Sequence, residues 1–315
     1  MKDAMIIADL KSSAGDFAAK IYENLKKRPE NLGVGLNEIT ITYFRDGEIK
    51  PKIAKNVRRK KCYFIHDSAK KPNDWLAELI FVNETLRNSG AGEIIDVLPY
   101  LRYCRQDRKD ESRTSISMKA VADCISKYAD RAVTVDAHFS QIQGFFDIPL
   151  DNLYSSPTVA EYFKKNHPKI IENCVILSPD AGGANRAEGF AKRFGVSDIA
   201  VGYKSRPKPG EVGKLKIIGD VKDKNVLILD DIIDSGGTLV KAAEECKKAG
   251  SLKVYTYAAH GLFTKGAKLE GIEKIFTSDT VYRGNEKNVE VISMAGLFSE
   301  VIYRINEGNS ISELF

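Results

Sequence analysis

Short apolar runs of strand length recur in both halves of the chain, at 94–98, 132–135, 174–177 and 226–229, each followed by a polar loop and a stretch of helix-like composition. Runs that are uninterrupted rather than alternating suit strands of a parallel sheet covered on both faces. The repeated order of strand, loop and helix predicts an α/β chain of two tandem doubly wound domains, each a mainly parallel sheet flanked by helices. The pattern breaks at 152–157, where Leu153-Tyr154-Ser155-Ser156-Pro157 precedes a helix-like stretch at 159–165. The domains are therefore expected at 1–153 and 154–315, with the final helix free to pack back on the first. Residues 202–214 differ: Lys204, Arg206, Lys208, Glu211 and Lys214 lie among two prolines and three glycines without apolar periodicity. That composition predicts a mobile loop of a size that often serves as a lid.

The residues just past the apolar runs are the ones able to do chemistry. Val226-Leu227-Ile228-Leu229 passes into Asp230-Asp231-Ile232-Ile233-Asp234-Ser235-Gly236-Gly237-Thr238. Asp230 and Asp231 would stand at the carboxyl end of a strand, where ligands of open sheets bind; paired carboxylates there could meet ribose hydroxyls or a hydrated divalent cation. Asp234, Ser235, Gly236, Gly237 and Thr238 read as a tight turn in which glycines let backbone N–H groups approach an anion and hydroxyls add donors. The helix-like stretch at 239–249, stopped by Gly250, would turn its N-terminus toward the same anion. Ser178-Pro179-Asp180-Ala181-Gly182-Gly183 repeats this logic, although a plain strand-to-helix turn also needs glycine.

Three further groups stand out. Asp136-Ala137-His138 sets a carboxylate and an imidazole at i and i+2, on one face of a strand end. The pair suits a Mg²⁺ held partly through substrate phosphates, or simply a hydrogen-bonded histidine. Phe44-Arg45-Asp46-Gly47-Glu48 offers an aromatic face with acids, and Arg105-Gln106-Asp107-Arg108-Lys109 a forked donor beside an amide. Such groups can stack a base and read a purine edge, yet each alone is also an ordinary surface turn.

Composition narrows the classes. The 315 residues suffice for two domains with substantial cores, and 48 basic against 43 acidic residues give a net charge of +5. That mild excess suits anionic small molecules without requiring nucleic acid. Arg58-Arg59-Lys60-Lys61 is the one dense basic cluster, and it runs straight into Cys62-Tyr63-Phe64-Ile65 as a solvated strand entrance would. Five scattered cysteines without a C-x-x-C pair point to a reducing compartment. The opening residues are interrupted by Lys2, Asp3 and Asp9, and no apolar run reaches the roughly 18 residues of a membrane span, so a cytoplasmic protein is expected.

The segment from Asp230 to Thr238 resembles the phosphoribosyl diphosphate (PRPP) motif of type I phosphoribosyltransferases: two acids, two aliphatics, an acid, then a Ser-Gly-Gly-Thr loop. The groups around Phe44, Arg105, Asp136 and Asp180, the segment Gln141-Ile142-Gln143-Gly144-Phe145-Phe146, and the ending Ser310-Ile311-Ser312-Glu313-Leu314-Phe315 follow the order seen in the ribose-phosphate diphosphokinase family, also called PRPP synthetases. The resemblance implies two phosphoribosyltransferase-like domains with the active site between them. It also implies transfer of the diphosphoryl group of Mg-ATP to ribose 5-phosphate, giving PRPP and AMP.

By the same resemblance Phe44, Asp46, Glu48, Arg105, Gln106, Asp107 and His138 would bind ATP, and Asp136, His138 and Asp180 would serve Mg²⁺. Asp230 and Asp231 would hold the ribose hydroxyls, and Asp234, Ser235, Gly236, Gly237 and Thr238 the 5-phosphate. Lys204 and Arg206 match the family's catalytic basic pair. Asp110, Arg113, Ser310 and Ser312 match a regulatory site for inorganic phosphate or ADP. A homo-oligomer built from dimers, often a hexamer, is implied, without nucleic-acid or membrane partners. The chain departs from the family at Ala8-Asp9-Leu10-Lys11-Ser12-Ser13-Ala14, at Ser115 where proline is common, and at His66-Asp67-Ser68 in place of Gln-Ser. Those departures bear on regulation more than on chemistry. Two other functions keep the same loop: a noncatalytic associated regulator, and a base phosphoribosyltransferase.

Overall fold

The computed structural model describes residues 4–28, 33–204, 215–264, 269–281, 284 and 286–314, the side chain of Lys204 excepted. The chain divides into two compact units, Met1–Tyr154 with Met294–Phe315, and Ser155–Ser293. The first contains β1 (Ala4–Ala8), α1 (Ser13–Lys26), β2 (Gly35–Tyr43), β3 (Ile49–Ile53), β4 (Lys61–Ile65), α2 (Pro72–Asn88), β5 (Glu93–Val97), α3 (Ser117–Tyr128), β6 (Arg131–Val135) and β7 (Leu150–Leu153). Its sheet has the order β3-β2-β1-β4-β5-β6-β7, parallel except for the β2–β3 hairpin.

The second unit contains α4 (Ser156–Asn166), α5 (Pro168–Ile171), β8 (Cys174–Ser178), α6 (Ala184–Phe194), β9 (Ile199–Lys204), β10 (Leu215–Ile218), β11 (Asn225–Ile233), α7 (Gly237–Lys248), β12 (Val254–Gly261), β13 (Lys274–Ser278) and β14 (Val289–Ile292). Its order, β10-β9-β8-β11-β12-β13-β14, repeats that of the first sheet strand for strand, again with one antiparallel edge pair, β9–β10. Two α/β sheets of matching topology follow from the strand–helix alternation. The strands at the centre are buried throughout, as expected where helices cover both faces: every residue of β1, β8 and β12 is buried. In the second unit Val175, Leu177, Val226 and Ile228 meet Leu239, Ala242 and Cys246 of α7 in one apolar cluster.

The last helix, α8 (Ala295–Glu307), belongs to the first unit. Its buried Phe298 meets Phe17 of α1 edge-on at 5.5 Å between ring centres, Asn24 donates to Ser299 at 3.3 Å, and Arg28 pairs with Glu300. Residues 294–315 thus return to the opening helix instead of extending the second unit. Among the described residues no helix is long and apolar enough to cross a membrane. Cys62, Cys104, Cys174 and Cys246 are buried free thiols, and burial pushes Cys62, Cys174 and Cys246 up to about 12, so they remain protonated at neutral pH.

One polar cluster makes the second unit sensitive to acid. Glu290 of β14 accepts from the Tyr162 hydroxyl and bonds His167 Nε2, both at 2.6 Å, and pairs with Lys274. Burial alone would raise its pKa, but the bonds from Lys274, Tyr162 and His167 outweigh burial and hold it at about 2, against an ordinary 4.5. Because the folded value is depressed, the stabilisation is complete above about pH 4.5 and fades as pH falls toward 2. Glu290→Gln should therefore flatten the fall in Tm between pH 5 and about pH 2.5. Parallel melting curves for the two proteins would show that other groups govern the acid limb.

Candidate functional site

In the second unit β8 leads through α6 to β9 on one side, whereas β11 leads through α7 to β12 on the other. The order reverses between β8 and β11, the place where open α/β sheets bind ligands. Both glycine-rich turns open there. After β8, Asp180 caps the 3₁₀ turn Ala181–Gly183 by accepting from Gly183 N–H at 3.2 Å, and Ser178 Oγ donates to Asp180 O at 2.6 Å. A Cβ on Gly183 would lie 2.6 Å from Ser178 Oγ, so a side chain there would have to displace the hydroxyl that bonds Asp180 O.

After β11, Gly236 adopts a φ of 79° and starts α7, with Gly237 as its first residue. A Cβ at Gly237 would meet nothing nearer than Ser235 Oγ at 4.0 Å, so open space lies over the backbone at the helix N-terminus. An anion can take that space and meet backbone N–H groups and the helix dipole together. Asp234, at the head of the loop, accepts from Thr264 Oγ1, while Leu262 and Phe263 N–H both donate to Ile233 O, at 2.8 and 3.1 Å. The segment after β12 thereby braces the loop.

The acidic pair is part of the strand itself: β11 runs on to Ile233, beyond the apolar run, because β12 continues to pair with it through Gly261. Asp231 is buried at 5% exposure. Its Oδ1 lies 3.1 Å from Arg186 Nη1 on α6, and its N–H donates to Asp230 Oδ1 at 2.9 Å. Burial and the adjacent Asp231 carboxylate push Asp230 well above the ordinary carboxylate range, a rise that Arg186 only partly offsets.

In the first unit the candidate residues lie on three loops. Phe44, Asp46 and Glu48 form the tip of the β2–β3 hairpin. Phe44 N–H donates to Glu48 O at 2.8 Å, Glu48 N–H to Asp46 Oδ1 at 3.1 Å, and Lys50 Nζ sits 5.6 Å from the Phe44 ring centre. Phe44 is 47% exposed, an open aromatic face. If that face stacks a nucleobase, Phe44→Leu should raise KM for ATP about tenfold, within the range of one lost base–aromatic stack, and leave KM for ribose 5-phosphate unchanged. Equal shifts in both constants would remove Phe44 from the nucleotide site.

Past β5, Arg105, Gln106 and Arg108 line a groove of about 470 Å³ with Asp110, Thr114 and Ser115. Asp110, expected in a regulatory site, and Arg105 and Gln106, expected at ATP, thus share one groove. Arg113 follows at the surface with a φ of 65°. The groove is tied to the loop after β6 through Phe139, which carries the Arg108 guanidinium 5.5 Å from its ring centre and meets His138 edge-on at 4.6 Å. Strand β6 ends at Val135 and Asp136 turns to a φ of 44°, so the i, i+2 alternation expected for Asp136 and His138 does not run across this point. Asp136 is buried and His138 half-buried. Asn152 Oδ1 accepts from Ala137 N–H at 2.9 Å and holds the turn.

The reversal point of the first sheet, between β1 and β4, is filled by its own side chains. Ser13 donates to Asp67 at 2.5 Å, Lys70 pairs with the buried Glu78, and Tyr43 donates to Glu78 at 3.0 Å. His66 lies between Phe64 and Trp75 with Nε2 2.7 Å from Trp75 O, and burial lowers its pKa to about 4, leaving it neutral. Ser310 and Ser312 lie at the end of the chain with their hydroxyls 3.1 Å apart, and Arg304 of α8 donates to Ser310 O at 2.6 Å.

Lys204 ends β9, its backbone paired with Leu215 of β10, so residues 202–204 belong to a strand. Arg206 and the remainder of the expected lid, 205–214, lie outside the described residues. Arg186 lies in the same stretch as the second glycine-rich turn, 178–187, yet its role was not legible in the sequence, and Thr264 lay outside every motif. Arg186 carried one signal, a cation in the first turn of a helix, where the dipole disfavours it. Thr264 carried none, because its partner is thirty residues away.

Residues 5–128 match the family described as the N-terminal domain of ribose phosphate pyrophosphokinase, and residues 203–315 that described as the phosphoribosyl synthetase-associated domain. A ribose-phosphate pyrophosphokinase of Haemophilus ducreyi is 38% identical over 98% of this chain and 99% of its own; one of Aquifex aeolicus is 41% identical over 90% and 93%. The crystal structure of phosphoribosylpyrophosphate synthetase from Mycobacterium smegmatis superposes with a TM-score of 0.87 at 29% identity, covering 98% of this chain and all of that one. With two loaded turns at a sheet reversal and relatives matching nearly end to end, the chain belongs to the ribose-phosphate pyrophosphokinase family.

Proposed function

We propose that this protein is a cytoplasmic, Mg²⁺-dependent ribose-phosphate pyrophosphokinase that transfers the β,γ-diphosphoryl group of ATP to the anomeric hydroxyl of ribose 5-phosphate, giving PRPP and AMP. One observation carries the reading: a paired-carboxylate strand end and an open glycine turn at a helix N-terminus adjoin at the reversal of the second sheet. That combination suits a sugar with vicinal hydroxyls and a phosphate, Asp230 and Asp231 taking the hydroxyls and residues 234–238 the phosphate. ATP falls to Phe44, Asp46, Glu48, Arg105, Gln106, Asp107 and His138.

The donor chemistry fits a hard cation. Asp136 and Asp180 offer carboxylate oxygen, and among the described residues no group of three or more His, Cys, Asp or Glu could cage a metal. Asp136 with His138 would serve one Mg²⁺ on the ATP side and Asp180 a second cation, each completed by substrate phosphates, whose charge the ions would neutralise when bound. The anomeric hydroxyl gives up its proton to solvent as its oxygen attacks Pβ, the bond from Pβ to the α,β-bridging oxygen breaks, and AMP leaves with that oxygen. Lys204 and Arg206 stabilise the charge that spreads over the transferred group in the transition state. Asp110, Arg113, Ser310 and Ser312 form a regulatory site for inorganic phosphate or ADP, and the protein acts as a homo-oligomer built from dimers.

The test is AMP formation from ATP and Mg²⁺, with and without ribose 5-phosphate and with and without inorganic phosphate. AMP that appears only with the sugar phosphate supports the assignment, and its response to phosphate reports on the regulatory site. ATP left intact under every condition would instead mark a noncatalytic relative.

A further inference from the structure

We infer that Arg186 is a positioning residue for the sugar site, fixing Asp231 in the orientation that receives the ribose hydroxyls. The inference rests on the proposed role of the acidic pair and adds a residue to it. Arg186 is the third residue of α6, and a cation in the first turn opposes the helix dipole; α6 has no acidic residue there to offset it. The side chain instead crosses the reversal point, from the turn after β8 to the carboxylate at the end of β11, and meets Asp231 Oδ1 at 3.1 Å. The pair is mostly enclosed, with side-chain exposures of 22% for Arg186 and 7% for Asp231.

The surroundings explain why a cation is needed. Asp230 and Asp231 are consecutive carboxylates, β12 offers the apolar Ala258 beside Asp230, and β8 stops at Ser178. Two adjacent enclosed carboxylates cannot both stay charged without a counter-charge. Arg186 supplies that counter-charge to Asp231, and it partly offsets the rise that burial and Asp231 impose on the pKa of Asp230. A guanidinium also fixes direction: its planar fork locks a carboxylate rotamer, which a flexible ammonium does less well. The two glycine turns are therefore joined by a salt bridge that sets the shape of the carboxylate side of the crevice.

The test is a double-mutant cycle on the full-length enzyme, reading KM for each substrate, kcat and Tm for Arg186→Met, Arg186→Lys, Asp231→Asn and the Arg186→Met/Asp231→Asn double variant. Arg186→Met should raise KM for ribose 5-phosphate about tenfold or more while KM for ATP stays within about twofold. Arg186→Lys should recover part of that loss, and the double variant should be no worse than Asp231→Asn alone. The inference is overturned if Asp231→Asn raises KM for the sugar phosphate and Arg186→Met does not. It is equally overturned if Arg186→Met raises both KM values together with a fall in Tm, the mark of a purely structural salt bridge. Should Arg186→Met fail to fold, Arg186→Lys decides: a sugar-specific rise in KM supports positioning, and wild-type constants contradict it. An unchanged sugar KM in Asp231→Asn would overturn the assignment of the acidic pair itself, an outcome distinct from the others.

Discussion

Lys204→Ala should lower kcat by about 10²–10³-fold while the apparent affinity for ATP changes by about threefold at most. The separation follows from when the contact is made. Diphosphoryl transfer spreads negative charge over the oxygens of the moving group, so a cation placed at that group binds the transition state more tightly than either ground state. Removing such a cation lowers kcat, whereas removing one that binds both states equally raises KM alone. Strand β9 delivers the Lys204 backbone to a fixed place, paired with Leu215 across the β9–β10 ladder at the root of residues 205–214. Steady-state kinetics with both substrates varied would check this. Equal losses in kcat and in ATP affinity would count against the transition-state role.

The two glycines of the 234–238 loop should fail in opposite ways. Gly237→Ala places a methyl group in open space, nearest Ser235 Oγ at 4.0 Å, so the fold should keep its stability or gain slightly from better helix propensity. That space is the one assigned to the 5-phosphate, so KM for ribose 5-phosphate should rise more than tenfold, a loss of at least about 1.4 kcal/mol. Gly236→Ala instead forces a side chain into φ 79°, at a cost of about 1–2 kcal/mol, so Tm should fall in that variant. Thermal melts and sugar-phosphate titrations on both variants would check the pair. A Gly237→Ala enzyme with normal KM would show that the phosphate sits elsewhere.

Much of this architecture was legible because it depends on local pattern. The apolar runs at 174–177 and 226–229 became β8 and β11, and the 239–249 stretch became α7, because buried parallel strands and amphipathic helices declare themselves over few residues. The chemistry-bearing turns were legible for the same reason. What escaped depends on distant partners. The hairpin strands β2 and β3 alternate polar residues at an edge, and β10 is four residues that exist as a strand through pairing with β9. That the last helix could pack back on the first domain was expected, but its partners on α1, Phe17 and Asn24, lie nearly 300 residues earlier and nothing within α8 names them. The filled reversal point of the first sheet was equally hidden, since it is made from Ser13, Tyr43, Asp67, Lys70 and Glu78 on separate elements. Asp136 shows the limit of pattern: alternation suggested one face with His138, and a φ of 44° broke the alternation.

The most direct test of the central claim follows label from ATP. With ³²P at the β position and ribose 5-phosphate present, diphosphoryl transfer predicts that all transferred label enters the sugar product and that AMP carries none. The same result is predicted with label at the γ position, because both phosphoryl groups move together. Labelled ADP from β-labelled ATP, with the γ label alone on the sugar, would contradict the account and make the protein a monophosphoryl kinase.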